Sequence, residues 1–178
     1  MIFRRTVWLG VAVVFTMTAA AAGHGLQLPG TASQDQRGMK TYDDLLVEVE
    51  QKAPGFGGMF VDAEGRLTVY LLDTSQLPAA RIAIESVFGT NHVPAAGIRV
   101  LQGQYAISQL KAWAERATAL LSMPGVTAVD LDEARNRLTV GVEDQSRTRA
   151  VEQALSSRRI PRKAVVIEVI EPIRPVVP

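Results

Sequence analysis

Few side chains in this sequence are suited to chemistry. The chain has no cysteine and only two histidines, His24 and His92. No nucleophile motif accompanies His92, so we interpret it as a loop residue rather than a catalytic or metal-binding one. His24 would be the second residue of a chain cleaved after Ala22. There it could help the amino-terminal amine bind copper, although a linker histidine is the simpler interpretation. We predict no cofactor.

Carboxylates cluster in two predicted hairpin turns, at Asp62 and Glu64 and at Asp130, Asp132 and Glu133. Their spacing lacks the alternating ligands of an EF-hand calcium loop. A hairpin tip also offers no cleft for a pair of catalytic acids. Because Asp in a turn accepts hydrogen bonds from its own backbone, we interpret these residues as solvated turn residues. Calcium binding and paired-acid catalysis are the alternatives.

The run Gly55-Phe56-Gly57-Gly58 shares only its glycines with a phosphate-binding loop. It lacks the Lys-Ser/Thr pair that follows in such loops, and it leads into a strand rather than a helix. General acid–base or nucleophilic catalysis needs a constellation of residues that this sequence does not offer. We therefore expect a protein that is not an enzyme.

The amino terminus has the pattern of a secretory signal. Arg4 and Arg5 precede an uncharged run, residues 6–22, that ends in four alanines. We predict a signal peptide over residues 1–22 and a secreted or periplasmic protein without a membrane partner after cleavage. A retained membrane anchor is the alternative. Without these two arginines, 17 of the 19 Lys and Arg residues stand against 18 Asp and Glu, so no nucleic-acid partner is expected.

Two further segments flank the part of the chain that is expected to fold. Residues 23–40 are rich in Gly, Ser, Gln and charge without periodicity, which predicts a flexible linker. Residues 171–178 contain three prolines and predict an extended, polyproline-like tail.

An internal repeat is the most informative feature of the sequence. Arg-Leu-Thr-Val occurs at residues 66–69 and again 71 residues later, and Asp73 returns at the same interval as Asp144. We predict an α+β fold of two tandem α-β-β-α-β units, residues 41–104 and 105–170, each a three-stranded sheet packed on helices. Units this small bury only about 60% of their surface, so we expect them to pack on each other or on a partner.

Local signals place the elements within each unit. Apolar residues recur every 3.6 positions over Thr41–Gln51 and Ile107–Leu121, and Thr41 with Asp44 resembles a capping box. The stripes include Tyr42 and, in the second helix, Trp113, which we interpret as core. Gly65 and Asn136 lie in the hairpin turns, where they tolerate a positive φ.

The last predicted strand, Ala164–Ile170, is apolar on both faces. If Val165, Ile167 and Val169 face the core, Val166 and Ile170 face outward and need cover from the other unit or from another chain. A partner could add a strand to this edge or cover its face. The predicted interface comprises Val166, Glu168, Ile170, Arg137, Thr139 and Ile173.

The run 158–163, Arg-Arg-Ile-Pro-Arg-Lys, is the only local concentration of charge. It follows a predicted helix, and cations are favourable beside the negative end of the helix dipole. We interpret it as a solvated helix end, with contact to an acidic partner or a membrane surface as the alternative.

Two segments together point to a known family. Phe56-Gly57-Gly58-Met59-Phe60-Val61-Asp62, followed by Gly65-Arg66-Leu67-Thr68-Val69, resembles propeptides of bacterial chymotrypsin-fold serine proteases of the α-lytic protease and streptogrisin type. The helix at Tyr105–Leu110 and the hairpin through Val129-Asp130-Leu131-Asp132 and Asn136–Val140 resemble the later part of the same prodomains. The resemblance covers about residues 41–170.

The resemblance implies a dedicated folding chaperone and inhibitor. Such a propeptide docks through its carboxy-terminal sheet, here 126–131, 138–142 and 164–170, and places its tail, 171–178, in the active-site cleft. We therefore expect an exported, non-enzymatic partner of a secreted serine protease that acts in trans. A generic envelope or extracellular interaction module without a protease partner is the alternative.

Overall fold

The computed structural model describes residues 40–170. The predicted signal peptide, the linker up to residue 39 with His24, and the tail with Ile173 lie outside the described residues. Ten helices and strands make up the described chain: α1 Tyr42–Lys52, β1 Phe56–Val61, β2 Leu67–Leu71, α2 Leu77–Phe88, β3 Arg99–Gln102, α3 Ile107–Ala117, β4 Val126–Asp132, β5 Arg137–Val142, α4 Thr148–Ser157 and β6 Val165–Val169.

The strands form two three-stranded sheets with the same topology. Their orders are β1-β2-β3 and β4-β5-β6. In each sheet the middle strand pairs antiparallel with the first strand and parallel with the third. The third strand is parallel because a helix, α2 or α4, connects it to the middle strand. The predicted α+β fold of two tandem α-β-β-α-β units is confirmed.

The repeat extends to irregular features of the backbone. A β-bulge interrupts the first hairpin between Phe56 and Gly58, and another interrupts the second between Val126 and Ala128. A bulge changes the direction and twist of a strand at one position. Its recurrence 70 residues later means that the two hairpins follow the same backbone path.

Side-chain hydrogen bonds repeat as well. Asp62 accepts from the Thr68 hydroxyl at 3.2 Å, and Asp132 accepts from the Thr139 hydroxyl at 3.1 Å. Each bond ties the end of the first strand to the threonine of the Arg-Leu-Thr-Val motif. The shared tetrapeptide therefore marks the same corner of both hairpins.

Helix starts agree with the predicted capping signals. Thr41 and Asp44 form both bonds of a capping box at α1. Asp73 and Asp144 each accept the backbone N–H two residues ahead and so cap the 3₁₀ turns that lead into α2 and α4. These bonds satisfy backbone donors that a helix start leaves free.

One continuous apolar core joins the two repeats, and it contains Trp113 as predicted. Three residues predicted on its stripes are instead exposed, namely Tyr42, Leu121 and Val169. Tyr42 is the first residue of its helix. Leu121 lies in the 3₁₀ turn Thr118–Ser122, where three residues per turn rotate it away from the stripe. Val169 ends an edge strand, so neighbours cover it from one side only and it is 52% exposed.

Candidate partner-binding edge of the second sheet

Strand β6 lies at the edge of its sheet: one side is paired to β5, and no other strand of residues 40–170 pairs with its second side. The backbone N–H of Ile170 donates to the Val142 carbonyl at 2.9 Å. Successive residues of a strand point their backbone groups to opposite sides. The backbone groups of Val165, Ile167 and Val169 therefore point away from β5.

Arg162 bonds to the outward-facing backbone at the start of β6. Its Nη1 donates to the Val165 carbonyl at 2.6 Å, while its Nε donates to the Glu152 carboxylate at 2.7 Å. Within residues 40–170, nothing bonds to the outward-facing backbone groups of Ile167 and Val169. Two residues with free donors and acceptors form a short edge to which another strand can be added.

The outer face of β6 carries the predicted contact residues Val166, Glu168 and Ile170, all of them half-buried. Glu168 forms an ion pair with Arg135 at 3.1 Å. Ile170 lies over Gly141, where a Cβ atom would be only 2.8 Å from its Cδ1. Residues of the same sheet therefore already bury much of the surface of these side chains.

Two other predicted contact residues serve internal roles. Thr139 is 6% exposed and donates to Asp132, so it is too buried to contact a partner directly. Arg137 donates to the Asn136 carbonyl and to Gln104 Oε1, both at 2.8 Å, and its guanidinium lies 5.0 Å from the centre of the Tyr105 ring. Ile173, the remaining one, lies outside the described residues.

Asn136 is the residue whose importance sequence reasoning missed. It is 1% exposed and has φ 51°, and its amide nitrogen donates to the carbonyls of Gly57 and Tyr105, each at 2.8 Å. Its amide oxygen accepts from the N–H groups of Gln104 and Tyr105 at 2.8 and 3.0 Å. One side chain therefore joins the second hairpin, the connection between the repeats and the first sheet.

The glycine run of β1 makes this junction possible. A Cβ atom on Gly57 would lie 2.8 Å from the Tyr105 carbonyl oxygen and 2.9 Å from Asn136 Nδ2. Glycine within a strand often marks a place where another backbone approaches closely. The signal was present in Gly57-Gly58, but the sequence does not show which segment approaches.

Further contacts fix the two repeats together. Tyr70 donates its hydroxyl to the Ala134 carbonyl at 3.0 Å. The Glu50 carboxylate of α1 accepts the Ser108 N–H at the start of α3 at 2.7 Å. A carboxylate is favourable at a helix amino terminus. The edge of β6 therefore belongs to a frame in which the repeats are joined by the buried and partly buried bonds of Asn136 and by these two exposed ones.

The predicted turn carboxylates have local partners. Asp62 accepts the N–H groups of Glu64 and Arg66 at 3.1 and 2.9 Å, and the Arg66 bond above all lowers the pKa of Asp62 to about 2. Burial raises the pKa of Glu133, with Asp43 and Asp130 nearby adding to the effect. Within the described chain, no three His, Asp or Glu side chains are grouped to hold a metal ion.

His92 is exposed in a 3₁₀ turn after α2, and its ring centre lies 5.0 Å from that of Phe88.

No helix within residues 40–170 has the length and hydrophobicity to span a bilayer. A scan against protein-family models and a search of curated protein sequences each found no match to this chain.

Proposed function

We propose that this protein is a non-enzymatic, exported protein-binding module that receives a strand of its partner at the β6 edge. We further propose that the partner is a secreted chymotrypsin-fold serine protease, which the module helps to fold or inhibits in trans. The observation that supports binding is the outward-facing backbone of Ile167 and Val169, which has no hydrogen-bond partner within residues 40–170. The signal pattern of residues 1–22 supports export, and the resemblance to protease propeptides supports the protease.

The number of available backbone hydrogen bonds limits the binding free energy that this edge can contribute. A hydrogen bond contributes about 1 kcal/mol net, so the four free groups of Ile167 and Val169 supply about 4 kcal/mol. Micromolar binding needs about 8 kcal/mol. The edge can therefore set the register of the partner strand, while other contacts must add a similar amount. Exposed Val169 and the outer face of β6 are next to the edge and can add to it.

A preformed edge suits a folding chaperone for a β-rich enzyme. Pairing between strands that are far apart in sequence is slow, because the loop between them loses entropy before contacts form. A rigid strand supplied by another molecule lowers that cost for the strand that docks on it. The same docked strand would hold the module on the folded protease and allow inhibition.

The test uses one residue whose backbone N–H points to solvent. Val169→Pro removes this donor without breaking the ladder to β5, because proline is tolerated where the N–H of an edge strand faces outward. Val169→Thr keeps the N–H and the branched shape and serves as the matched control. Circular dichroism and the melting temperature establish that both variants are folded.

The readout is the recovery of activity by a denatured chymotrypsin-fold protease domain refolded with the full chain. We expect the wild-type chain and Val169→Thr to raise the yield, and Val169→Pro to raise it less because it binds the domain about fivefold more weakly, the loss of one edge bond. Equal binding of Val169→Pro and Val169→Thr would refute the edge. Edge-dependent binding of another exported protein, with no effect on any protease, would favour the general interaction module.

A further inference from the structure

A group of cations lies where β6 begins, and the fold does not neutralise it. Arg158, Arg159 and Lys163, which we call the basic corner, belong to the connection between α4 and β6. Within residues 40–170, none of the three is within ion-pair distance of a carboxylate. Glu152, the single acidic residue of segment 145–163, is paired with Arg162 at 2.7 Å.

The surplus of positive charge is local. Segment 145–163 has six Lys and Arg residues against that one acid, whereas residues 41–104 have four against eight. Like charges in proximity raise the free energy of the fold slightly, and they favour a ligand of opposite charge. The helix dipole accounts for one or two cations after α4. It does not account for the whole surplus.

Arg159 occupies a backbone position that favours glycine. Its φ is 55°, and it follows α4 in a turn closed by the bonds Arg159 N–H to Ser156 and Ile160 N–H to Leu155. A left-handed residue in this helix-ending motif is usually glycine. An arginine held in an unfavourable conformation on the surface is a reason to look for a function.

A groove adjoins these charges. Its volume is about 530 Å³. Leu155 and Ile160, both buried, contribute an apolar floor, while Arg159 and Arg162 contribute cations and Glu152, paired with Arg162, contributes the one carboxylate. Because Arg162 also donates to the Val165 carbonyl, the groove opens directly at the start of the β6 edge. Because the connection that carries the corner leads directly into β6, a strand laid along Ile167 and Val169 can be continued towards the corner at about 3.3 Å per residue.

We propose that the basic corner binds carboxylates of the same partner strand that is added to β6, so that the docking segment carries Asp or Glu residues beyond one end of its apolar part. This inference rests on the proposed function and specifies its partner. An extended acidic peptide fits because it can continue from the strand edge into the adjoining groove, whereas a lipid surface cannot pair with the backbone of that edge.

The test compares three synthetic peptides that share an alternating Thr-Val core. One carries three Asp residues after the core, one carries them before it, and one carries Asn in their place. Binding to the full chain is measured by fluorescence anisotropy. We expect one acidic peptide to bind about tenfold more tightly than the Asn peptide, with the difference lost at about 0.5 M salt. The position of Asp in the tighter peptide gives the strand direction.

The variant pair isolates the corner. Arg159→Gly with Lys163→Ala removes two charges and relieves the backbone of Arg159, so the fold is preserved. Lys52→Ala with Arg116→Ala removes the same charge from exposed positions outside segment 145–163. We expect the first pair to abolish the preference for the acidic peptide and the second to retain it.

The possible outcomes distinguish a failure of this inference from a failure of the proposed function. If all three peptides bind equally and Val169→Pro weakens them all, the edge is supported and the basic corner is refuted. If only the Lys52/Arg116 control loses the preference, the corner is also refuted. Binding of phosphatidylglycerol vesicles that requires Arg159 and Lys163, without a preference for acidic peptides, would overturn the inference in favour of a membrane surface.

Discussion

Asn136 meets two requirements at one position. The hairpin turn needs a left-handed residue, which asparagine tolerates better than other residues with a side chain. The junction needs a side chain that both donates and accepts, and the amide supplies two donors and one carbonyl oxygen with two lone pairs. All four bonds are formed at 2.8 to 3.0 Å with backbone groups of Gly57, Gln104 and Tyr105. Replacement leaves those backbone groups without partners.

We expect Asn136→Asp to lower the free energy of unfolding by about 3 kcal/mol or more. The change removes both donors and places a carboxylate against two carbonyl oxygens in a buried site. Gly65→Asn is the control, because Gly65 has positive φ in the equivalent turn and a Cβ atom there meets nothing within 4 Å. Urea unfolding checks both variants. Equal stability of the two would mean that the junction contributes little.

We expect Asp62 to make the free energy of unfolding depend on pH in the acidic range. Because the backbone N–H of Arg66 and the other donors favour the ionised form, the pKa of Asp62 falls to about 2 in the fold, against about 3.9 when unfolded. Its contribution is therefore complete above pH 4 and is lost as the pH falls towards 2. The raised pKa of Glu133 acts in the opposite direction, since its protonated form is favoured in the fold.

Comparing the wild-type chain with Asp62→Asn isolates this effect, because Glu133 titrates in both. Between pH 5 and pH 2 we expect the urea midpoint of the wild type to fall more steeply than that of Asp62→Asn. Parallel curves for the two proteins would show that Asp62 does not carry the acid dependence.

At the scale of strands and helices, the parts predicted well are those fixed by local chemistry. The capping box of Thr41, the left-handed turn residues and the alternation of the Arg-Leu-Thr-Val strands depend on neighbours a few positions away. The junction was not predictable in this way, because the Asn136–Gly57 bond joins residues 79 positions apart. The exposure of Val169 likewise depends on where its neighbours end, which periodicity does not record.

The close approach of β1 to the second hairpin predicts a difference between two glycines. A Cβ on Gly57 meets the Tyr105 carbonyl oxygen at 2.8 Å, and a Cβ on Gly141 meets Thr127 Oγ1 and Ile170 Cδ1 at 2.7 and 2.8 Å. The Thr127 hydroxyl and Ile170 Cδ1 can rotate away and Ala128 Cβ, at 3.2 Å, is a milder contact, whereas the hydrogen-bonded backbone of Tyr105 cannot move aside. We expect Gly57→Ala to cost about 2–3 kcal/mol and Gly141→Ala less than about 1 kcal/mol in urea unfolding. The reverse order would contradict a rigid junction.

At the scale of the whole molecule, equivalent parts of the two repeats make different contacts. The second hairpin contacts the first sheet through Asn136 and Tyr70. At the equivalent positions the first hairpin has Gly65 and the second sheet has Gly141, neither of which has a side chain to make those bonds. The second sheet of one molecule therefore cannot bind the hairpin of another molecule through the same set of hydrogen bonds. Within residues 40–170, the half-buried outer face of the second sheet is left for a different partner.

The same asymmetry predicts that neither repeat is stable alone. A repeat of this size buries about 60% of its surface, and separation would also expose the shared core and the polar groups around Asn136. We expect the fragments 41–104 and 105–170 to lack cooperative thermal unfolding by circular dichroism. The full chain should unfold in one transition, because each repeat completes the core of the other. A cooperative transition in either isolated fragment would mean that the repeats are independent domains and that the β6 edge does not require the first repeat for its position.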